Sequence, residues 1–456
     1  MSEEFEPIDI AVVGGGISGL ACAFWAKKKG RSVALFEASA NVGGSITTLR
    51  SGRYIADGGP QSFVASEALT QLVHDAELDQ FVLRAAPAAA TPYLYHHGRL
   101  VQAPRSPRAL LGTPLLSAFA KLRILGEPLA GASTVEDESV AAFTRRRAGS
   151  EVLDALVGPF VSGIFAGDPE KLSLRSAFPS MATLEREHGS ILRGAARMKA
   201  RGNGQRPPAQ GSARTSIGFR GGNDLLPRAL AAHLGPDFSV NANVEAMWQR
   251  GQWMELLVTG QPNKRVIAKT IVLATPAPET ADLLDSMESK AATALRGIEY
   301  PPVVQIALAY PRSAVGMALD GFGFLASRRE DLRILGCVYN SAMYPDRCPP
   351  DEVLLTAFLG GATDRAAAAQ SDDELAKVAH KDIARALRIK DVAPHVVAGF
   401  RWQQAIPQYN VGHAQRLAIV EQCLSRLPQV RLCGNYLRGP SVSDCLKLAR
   451  ETADSF

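Results

Sequence analysis

The pattern of apolar and polar positions near the start of the chain predicts a strand, a helix and a second strand, in that order. Residues 10–13 form an apolar run that stops at three glycines, as a buried parallel strand does when it enters a tight turn. Residues 20–25 place apolar side chains at helical spacing, and lysines at 27–29 form a solvated last turn. Residues 33–36 then form the second strand.

Glycines in the pattern Gly14-x-Gly16-x-x-Gly19 stand where the first strand meets the helix. The first permits the turn, the second lets the backbone approach a pyrophosphate, and the third brings the helix against the strand. The unpaired amides and positive dipole end of the helix face the phosphates. Glu37 ends the second strand, where a carboxylate accepts ribose hydroxyls and repels a 2′-phosphate. The sequence therefore predicts a site for FAD or NAD rather than NADP.

The end of the chain carries a second unit of this kind. A strand near residues 430–433 is followed by Gly434 and by a helix over residues 443–453. This arrangement predicts that one nucleotide-binding domain is assembled from the two ends of the chain, with the middle inserted between them.

The middle of the chain predicts a block of helices and a block of strands. Helices are expected at residues 66–78 with Ser66 as N-cap, 139–147, 151–161, 176–196, 225–234 and 372–387, and small residues at 163–169 break them. Strands are expected at 93–101 as a hairpin about His97-Gly98, and at 239–248, 254–259 and 265–274. Further strands at 303–310, 321–325, 333–339 and 352–359 predict an antiparallel sheet that walls a ligand pocket. Residues 199–216, rich in Gly and Pro, predict a mobile excursion.

Two kinds of segment each have two interpretations. The glycine-dense loops at residues 41–45 and 52–63 either approach a ligand or punctuate turns, and both interpretations stay open. Residues 104–129 place leucines and Phe119 at helical spacing with Arg and Lys between them. This amphipathic segment either lies on a membrane interface or packs against the neighbouring helices, and packing is favoured.

Composition and charge narrow the class of protein. The 456 residues suggest about three domains, and 46% hydrophobic with 21% charged residues is typical of a globular protein. The net charge of +5 indicates a solvated basic face rather than a preference for acidic ligands, and no basic block interleaved with aromatics predicts nucleic-acid binding.

Cysteine spacing and hydropathy bear on metals and localisation. The six cysteines form no C-x-x-C pair and have no histidine at ligand spacing, so we expect reduced core thiols and no metal site. The acidic N-terminus does not resemble a targeting signal, and no run approaches the roughly 18 apolar residues of a spanning helix. The expected location is cytoplasmic or peripheral to a membrane.

Several phrases of the sequence resemble the protoporphyrinogen oxidase family, oxygen-dependent flavoenzymes of haem synthesis within the amine-oxidase-like group. The phrases specific to that family are SGIFAGD at 162–168, LEREHGS at 184–190 and AIPQY at 405–409. Others are the glycine pattern with Glu37, Gly43-Gly44, GPQSF at 59–63, PFV at 159–161, Gly221-Gly222, Gly412-His413, and GNY at 434–436 running to VSDC at 442–445. The resemblance covers essentially the full length.

This resemblance implies an α/β fold like that of p-hydroxybenzoate hydroxylase. It places a discontinuous Rossmann-like FAD domain at residues 1–86, 223–297 and 396–456. A mixed-sheet substrate domain falls at 87–111, 204–222 and 298–395, and a helical, membrane-facing domain at 112–203.

The resemblance also implies the site residues. Non-covalent FAD contacts fall on Gly14, Gly15, Gly16, Ile17, Ser18, Gly19, Glu37, Ala38, Ser45, Gly59, Pro60, Gln61, Ser62, Val244, Trp402, Pro440, Ser441 and Val442. The pocket for the macrocycle falls on Gly163, Phe322, Leu325, Val338 and Phe358, which are mostly apolar and suit a flat tetrapyrrole. For Trp402, contact with the flavin is favoured over a place in the core.

The implied activity is stepwise removal of hydrogen from protoporphyrinogen IX by FAD, with O2 reoxidising the flavin and yielding H2O2. The carbonyl of Gly163 is a polar contact for a pyrrole N–H, and no side chain is assigned as a catalytic base. His188 and His413 are interpreted as structural rather than catalytic. The implied partners are porphyrinogen and O2, with a membrane surface, the downstream ferrochelatase and a second copy of the chain as further candidates.

The sequence departs from the family at two positions. Pro92 stands where members often carry an arginine that meets a substrate propionate, and Leu448 stands where a small residue is usual. Three alternatives stay open: coproporphyrinogen III oxidation by the same chemistry, an amine or carotenoid-type flavin oxidoreductase, and an FAD-binding haem-pathway partner without turnover.

Overall fold

A computed structural model describes residues 7–131, 133, 135–200, 216–260 and 263–456. Residues 201–215, most of the excursion predicted above, lie outside these ranges. The strands are β1 (Ile8–Val13), β2 (Val33–Phe36), β3 (Thr47–Ser51), β4 (Tyr54–Gly58), β5 (Phe63–Val64), β6 (Val82–Arg84), β7 (Pro92–His96), β8 (Arg99–Gln102), β9 (Ser216–Phe219), β10 (Phe238–Ser239), β11 (Asn243–Arg250), β12 (Trp253–Thr259), β13 (Lys264–Leu273), β14 (Val303–Pro311), β15 (Gly323–Ala326), β16 (Gly336–Val338), β17 (Glu352–Gly360), β18 (His395–Trp402) and β19 (Val430–Leu432).

The helices alternate with these strands and are numbered in chain order. They are α1 (Ile17–Lys28), α2 (Glu67–Asp75), α3 (Pro107–Gly112), α4 (Ala118–Leu125), α5 (Val140–Arg147), α6 (Ser150–Val152), α7 (Gly158–Phe165), α8 (Leu174–Ala177), α9 (Pro179–His188), α10 (Ile191–Ala200), α11 (Leu225–Leu234), α12 (Ala277–Leu284), α13 (Ser289–Arg296), α14 (Asn340–Met343), α15 (Asp372–Leu387), α16 (His413–Leu424) and α17 (Val442–Asp454). A π-helical turn, Leu153–Val157, joins α6 to α7. The predicted α/β class is confirmed.

The first sheet has a parallel centre and an antiparallel flank. Its order is β10-β2-β1-β13-β12-β11, and β19 also pairs with β13. The pairs β10·β2, β2·β1, β1·β13 and β13·β19 are parallel, whereas β11, β12 and β13 form an antiparallel meander. Ile271 aligns with Val430, and α17 packs against α1. The prediction that both chain ends build one unit is confirmed.

The second sheet has the order β18-β14-β17-β16-β15-β7-β8. The pairs among β14, β15, β16 and β17 are antiparallel, which confirms the prediction for these four strands, whereas β15 and β7 are parallel, so the sheet as a whole is mixed. One face is closed by α15, whose Ser371 and Glu374 form a capping box, and it buries an apolar core. Strand β18 lies in the segment assigned by resemblance to the last part of the FAD domain, yet it pairs with β14. The bounds of the seven domain segments stay predictions.

The helical segment departs from the sequence expectation at two places. The helix does not end at Gly163, the first residue of the predicted break at 163–169. Instead, α7 continues to Phe165 and is capped by Ala166, which adopts a left-handed φ of 47°. The single helix expected over residues 176–196 is three helices, since Phe178 precedes a proline and Gly189 adopts a φ of 67°.

The amphipathic segment at residues 104–129 is only partly packed. Leu115, Leu116 and Ala120 are buried, so packing against neighbours is confirmed for this side. Five other apolar side chains are exposed, namely Leu111 (47%), Phe119 (73%), Leu122 (67%), Leu125 (58%) and Leu129 (85%). The favoured interpretation, packing against the neighbouring helices, therefore holds for one side of the segment and was wrong for the other. Among the described residues, no helix is both long and apolar enough to cross a bilayer.

Candidate functional site

The glycine pattern forms a cradle at the N-terminus of α1. Gly14 has a φ of +108°, and a Cβ there would lie 2.9 Å from the Ala274 carbonyl group. A Cβ on Gly19 would lie 2.0 Å from the Gly14 carbonyl oxygen, whereas a Cβ on Gly16 would meet nothing within 4 Å. Gly14 and Gly19 thus lack side chains for internal packing, and Gly16 keeps open space beside the helix amides. This geometry fits the three roles assigned from the sequence.

Glu37 closes the cradle from the end of β2. Its Oε2 accepts the Gly15 N–H at 2.7 Å and its Oε1 accepts the Ser39 N–H at 2.8 Å, which leaves each oxygen with capacity for a ribose hydroxyl. A Cβ on Gly15 would lie 2.9 Å from the Glu37 Cβ, so glycine is also favoured at this position. The glycine pattern alone did not predict this. Ala38 is exposed beside it, and Val244 is buried on β11, shortly after Ala242, whose N–H donates to the Glu37 carbonyl at 2.9 Å.

Polar side chains connect the loop after β4 to the second sheet. Gln305 of β14 accepts the Gly59 N–H and donates to the Gly59 carbonyl, both at 2.9 Å. Asn340 donates to Gln61 Oε1 at 2.5 Å and accepts from Thr356 Oγ1 at 2.8 Å. The predicted FAD-contact loop Gly59, Pro60, Gln61 and Ser62 is therefore fastened to side chains of the sheet. We call Gly59, Gln61, Gln305, Asn340 and Thr356 the polar seam.

A buried ion pair lies directly behind this loop. Arg347 Nε donates to Asp57 Oδ2 at 3.0 Å, and both residues are at most 2% exposed. The other Asp57 oxygen accepts the Asn223 N–H at 2.8 Å, and Arg347 Nη2 donates to the Phe219 carbonyl at 3.2 Å. The pair thus connects β4 and β9 to the segment between α14 and β17, and each of its two charges has a partner.

The second sheet presents an apolar face on the side of the polar seam. Leu325 and Phe358 flank Gly336 in one cross-strand row, because both align with it in register. Val338 lies two residues from Gly336 and so points the same way. The side chains of Leu325, Val338 and Phe358, together with Phe322 just before β15, are half-buried among otherwise buried strands. We call these four residues the apolar face.

Gly163 brings α7 against this face. A Cβ on Gly163 would lie 2.3 Å from Leu325 Cδ2, so a larger residue would require the Leu325 side chain to move, and Gly163 itself is exposed. The structure therefore brings Gly163 together with Leu325, and Val338 and Phe358 follow on the adjacent strands. Gly163 thus joins α7 to the apolar face at Leu325.

Trp402 lies on the same face of the sheet at the end of β18. It aligns with Val303, two residues from Gln305, and its Nε1 is buried without a hydrogen-bond partner among the described residues. A buried donor of this kind fits a ligand acceptor.

The other predicted FAD contacts lie at loop and helix ends. Ser45 is exposed, and a Cβ on Gly59 would lie 2.0 Å from its carbonyl oxygen. Ser441, between Pro440 and Val442, caps α17 by accepting the Asp444 N–H. Ile17 and Ser18 are buried in the first turn of α1, and Leu448, one of the two departures from the family, is buried in the core on α17.

His413 has a structural environment. Its Nε2 lies 2.9 Å from the Tyr436 carbonyl, and its ring stacks on Tyr409 with centroids 4.4 Å apart. Burial lowers the pKa of His413 to about 4, so the imidazole is neutral near pH 7. This supports the structural interpretation made from the sequence. His188 ends α9, and its Nδ1 is buried without a partner among the described residues.

The described residues fit a flavin dinucleotide. The cradle leaves space at Gly16 next to unpaired helix amides, Glu37 stands at the ribose position, and the orphaned Trp402 Nε1 lies on the sheet near the polar seam. In the same residues no group of His, Cys, Asp or Glu side chains is arranged to hold a metal ion. All six cysteines are free and buried, as predicted.

Comparison with known proteins gives a consistent result. The chain is 34% identical to the chloroplastic protoporphyrinogen oxidase of Oryza sativa subsp. japonica, over 98% of this chain and 87% of that protein. It is 30% identical to the coproporphyrinogen III oxidase of Bacillus subtilis (strain 168), over 96% of this chain and 95% of that protein.

The fold is similar to that of solved flavoenzymes. Cyclohexylamine oxidase from Brevibacterium oxydans IH-35A superposes with a TM-score of 0.69 at 18% identity, covering 99% of both chains. A crystal structure from Exiguobacterium sp. 255-15 superposes with a TM-score of 0.80 at 22% identity, also covering 99% of both. The model of the flavin containing amine oxidoreductase family matches residues 17–455. The chain therefore belongs to this family, in the group of the protoporphyrinogen and coproporphyrinogen III oxidases, and FAD is its cofactor.

Proposed function

We propose that this protein oxidises protoporphyrinogen IX to protoporphyrin IX, the penultimate step of haem synthesis, with O2 as electron acceptor. Six hydrogens leave the macrocycle, and three O2 molecules are reduced to three H2O2. The observation that carries the proposal is the apolar face, which is joined by the polar seam to the loop assigned to FAD. The 34% identity to the rice enzyme over 98% of the chain supports the substrate class.

The chain's own residues have positioning roles in this proposal. FAD supplies the electron sink, so the protein needs no dyad of catalytic side chains. The cradle and Glu37 hold the nucleotide, and the polar seam fixes the loop that lies between nucleotide and sheet. The apolar face and Gly163 then hold the macrocycle flat and exclude water from the reacting C–H bond. The Gly163 carbonyl accepts a pyrrole N–H.

Coproporphyrinogen III oxidation is the second candidate. It is favoured by the 30% identity to the Bacillus subtilis enzyme, of which the chain covers 95%. The two substrates differ in the number of propionates, four against two, so the basic groups around the apolar face decide between them.

Anaerobic flavin bleaching separates the candidates. Protoporphyrinogen IX is expected to bleach the flavin absorbance of the purified protein, and admitting air should restore it with uptake of three O2 per porphyrin formed. Faster bleaching by coproporphyrinogen III would favour the second candidate. A yellow protein that neither substrate bleaches would support a non-catalytic FAD-binding partner of the haem pathway.

A peripheral membrane location is part of the proposal. The support is the exposed row Phe119, Leu122 and Leu125 on α4, which has Lys121 and Arg123 between its apolar residues. Cosedimentation with anionic vesicles tests it, and Phe119→Ser is expected to weaken binding several-fold.

A second copy of the chain and the downstream ferrochelatase are further proposed partners. Size-exclusion chromatography tests the first, and a pull-down experiment tests the second.

A further inference from the structure

Arg328 differs from its basic neighbours in having no anionic partner. It lies two residues after β15, the strand that carries Leu325 of the apolar face. The neighbouring Arg329 pairs with Asp154 at 2.8 Å, and Arg333 pairs with Asp364 at 2.8 Å. Across the part of the chain that the structure describes, Arg328 makes neither a hydrogen bond nor an ion pair. Its guanidinium therefore keeps its full set of donors for another molecule.

Arg328 is exposed at the surface, and protein atoms also lie close to its guanidinium. Burial lowers the pKa of its guanidinium, and the carboxylates of Asp168 and Asp364 act in the opposite direction. Both of these carboxylates are engaged elsewhere, because Arg333 holds Asp364 and Asp168 accepts the Glu170 N–H at 3.0 Å. Because Arg328 is exposed and has no ion-pair partner among the described residues, its guanidinium is free to bind an incoming anion.

The position of Arg328 relates it to the proposed macrocycle site. Three residues of chain span at most about 10 Å, so the Cα of Arg328 lies within that distance of the Cα of Leu325. Ser327 donates to the Asp154 carbonyl at 2.9 Å, which fastens this turn to the π-helical turn ahead of α7. Asp168 follows the other end of α7. Arg328 thus stands at the rim where the helix that carries Gly163 meets the apolar face.

We propose that Arg328 binds a carboxylate of the substrate at the rim of the apolar face. The inference rests on the proposed function, because it takes the substrate to be a flat apolar macrocycle with propionate groups on its edge. A guanidinium binds a carboxylate through two parallel N–H···O hydrogen bonds, and it stays charged at any pH of interest. Arg328 thereby sets which edge of the macrocycle lies against the sheet.

Steady-state kinetics with protoporphyrinogen IX test this assignment. Arg328→Met is expected to raise KM about tenfold or more with kcat close to wild type, since the contact is the same in ground and transition states. Arg328→Lys keeps the charge without the paired donors, so a smaller rise is expected. Arg329→Met is the matched control, because its ion pair is exposed and contributes little, and KM should stay within about twofold. An unchanged KM in Arg328→Met, or a loss of flavin from it, would overturn the proposal.

A binding measurement separates this inference from the function on which it rests. Mesoporphyrin IX and its dimethyl ester differ only in their carboxylates, and fluorescence titration gives Kd for each. The wild type is expected to bind the diacid at least about tenfold more tightly than the diester, and Arg328→Met should abolish that preference. If the wild type turns over no porphyrinogen but shows this contrast, the proposed function fails and the carboxylate site stands. Equal binding of diacid and diester by the wild type, or a preference that survives in Arg328→Met, refutes the carboxylate site.

Discussion

The cradle and the apolar face are built in opposite ways. Most of the cradle lies within one strand-helix-strand unit, where Glu37 accepts the Gly15 N–H across 22 residues of chain, while Ala274, against which Gly14 packs, comes from the end of a distant strand. The apolar face comes from three strands and the residue before β15, and Gly163 approaches it from α7, so its parts are spread over the middle of the chain. In the cradle, the absence of side chains at the glycines lets backbone segments and a ligand come close. The apolar face, in contrast, consists of side chains. A local pattern therefore specifies the first, whereas strand register specifies the second.

The two regions depend on each other through buried polar groups. The polar seam and the Asp57–Arg347 pair lie between them, and the side chains of Asp57, Gln61, Gln305, Asn340 and Arg347 are buried there. Changes in the cradle should affect FAD alone, changes in the apolar face should affect substrate alone, and changes between them should affect both. The four predictions below test this division, from the largest expected effect to the smallest.

Arg347→Met should destabilise the protein most. It leaves the Asp57 carboxylate buried without its counter-ion, which costs about 3–5 kcal/mol of unfolding free energy. Urea unfolding measures the loss, and both FAD content and substrate turnover should fall. The double variant Asp57→Leu with Arg347→Met is the control, because it removes both charges and should recover part of the stability. A loss below about 1 kcal/mol in the single variant would show that water reaches the pair.

Two glycine substitutions within the cradle should have different effects. Gly19→Ala places a Cβ 2.0 Å from the Gly14 carbonyl oxygen, so α1 must shift, and we expect a loss of about 3 kcal/mol in stability. Gly16→Ala meets nothing within 4 Å, so thermal unfolding of the FAD-free protein should stay unchanged while FAD binding weakens. Equal loss of stability in both variants would contradict the assignment of Gly16 to the cofactor.

The sequence predicts the local parts of this structure well. Helices α11 and α15 have the bounds that the hydrophobic pattern indicates, since each carries its own start and stop signals. In α15 these are the Ser371–Glu374 capping box and Arg388 in the left-handed region at a φ of 52°. The cradle follows from the same kind of local signal, and so do the strands that the two ends of the chain contribute to the first sheet.

The parts that depend on distant contacts were not predictable in this way. Nothing in the sequence pairs Asp57 with Arg347, because 290 residues separate them. Gln305 did leave a signal, as a polar residue in the middle of an otherwise apolar strand, which usually marks a buried hydrogen bond. The packing of residues 104–129 depends on which neighbours reach each side of α4, and periodicity does not contain that information.

His413 links the C-terminal part of the nucleotide unit to α7 through Tyr409, and it should make stability pH-dependent. Burial lowers its pKa to about 4 from about 6.5, so the fold favours the neutral ring. Its contribution is complete above pH 6.5 and is lost as pH falls toward 4, by about 2 kcal/mol at pH 5. His413→Gln should therefore lose less stability than wild type between pH 7 and pH 5 in urea unfolding. Parallel pH profiles for the two proteins would contradict this.

Phe358→Ala in the apolar face should cost less stability than Arg347→Met or Gly19→Ala. The side chain is half-buried, so its truncation costs about 1–2 kcal/mol of apolar contact, part of which belongs to the substrate. KM for protoporphyrinogen IX should rise up to about tenfold while FAD content stays at the wild-type level. Val396→Ala on strand β18 of the same sheet is the control, because Val396 is 45% exposed and lies far along the sheet from this row. If Phe358→Ala released FAD instead, the cofactor and substrate sites would share this residue, and the division between cradle and face would have to be redrawn.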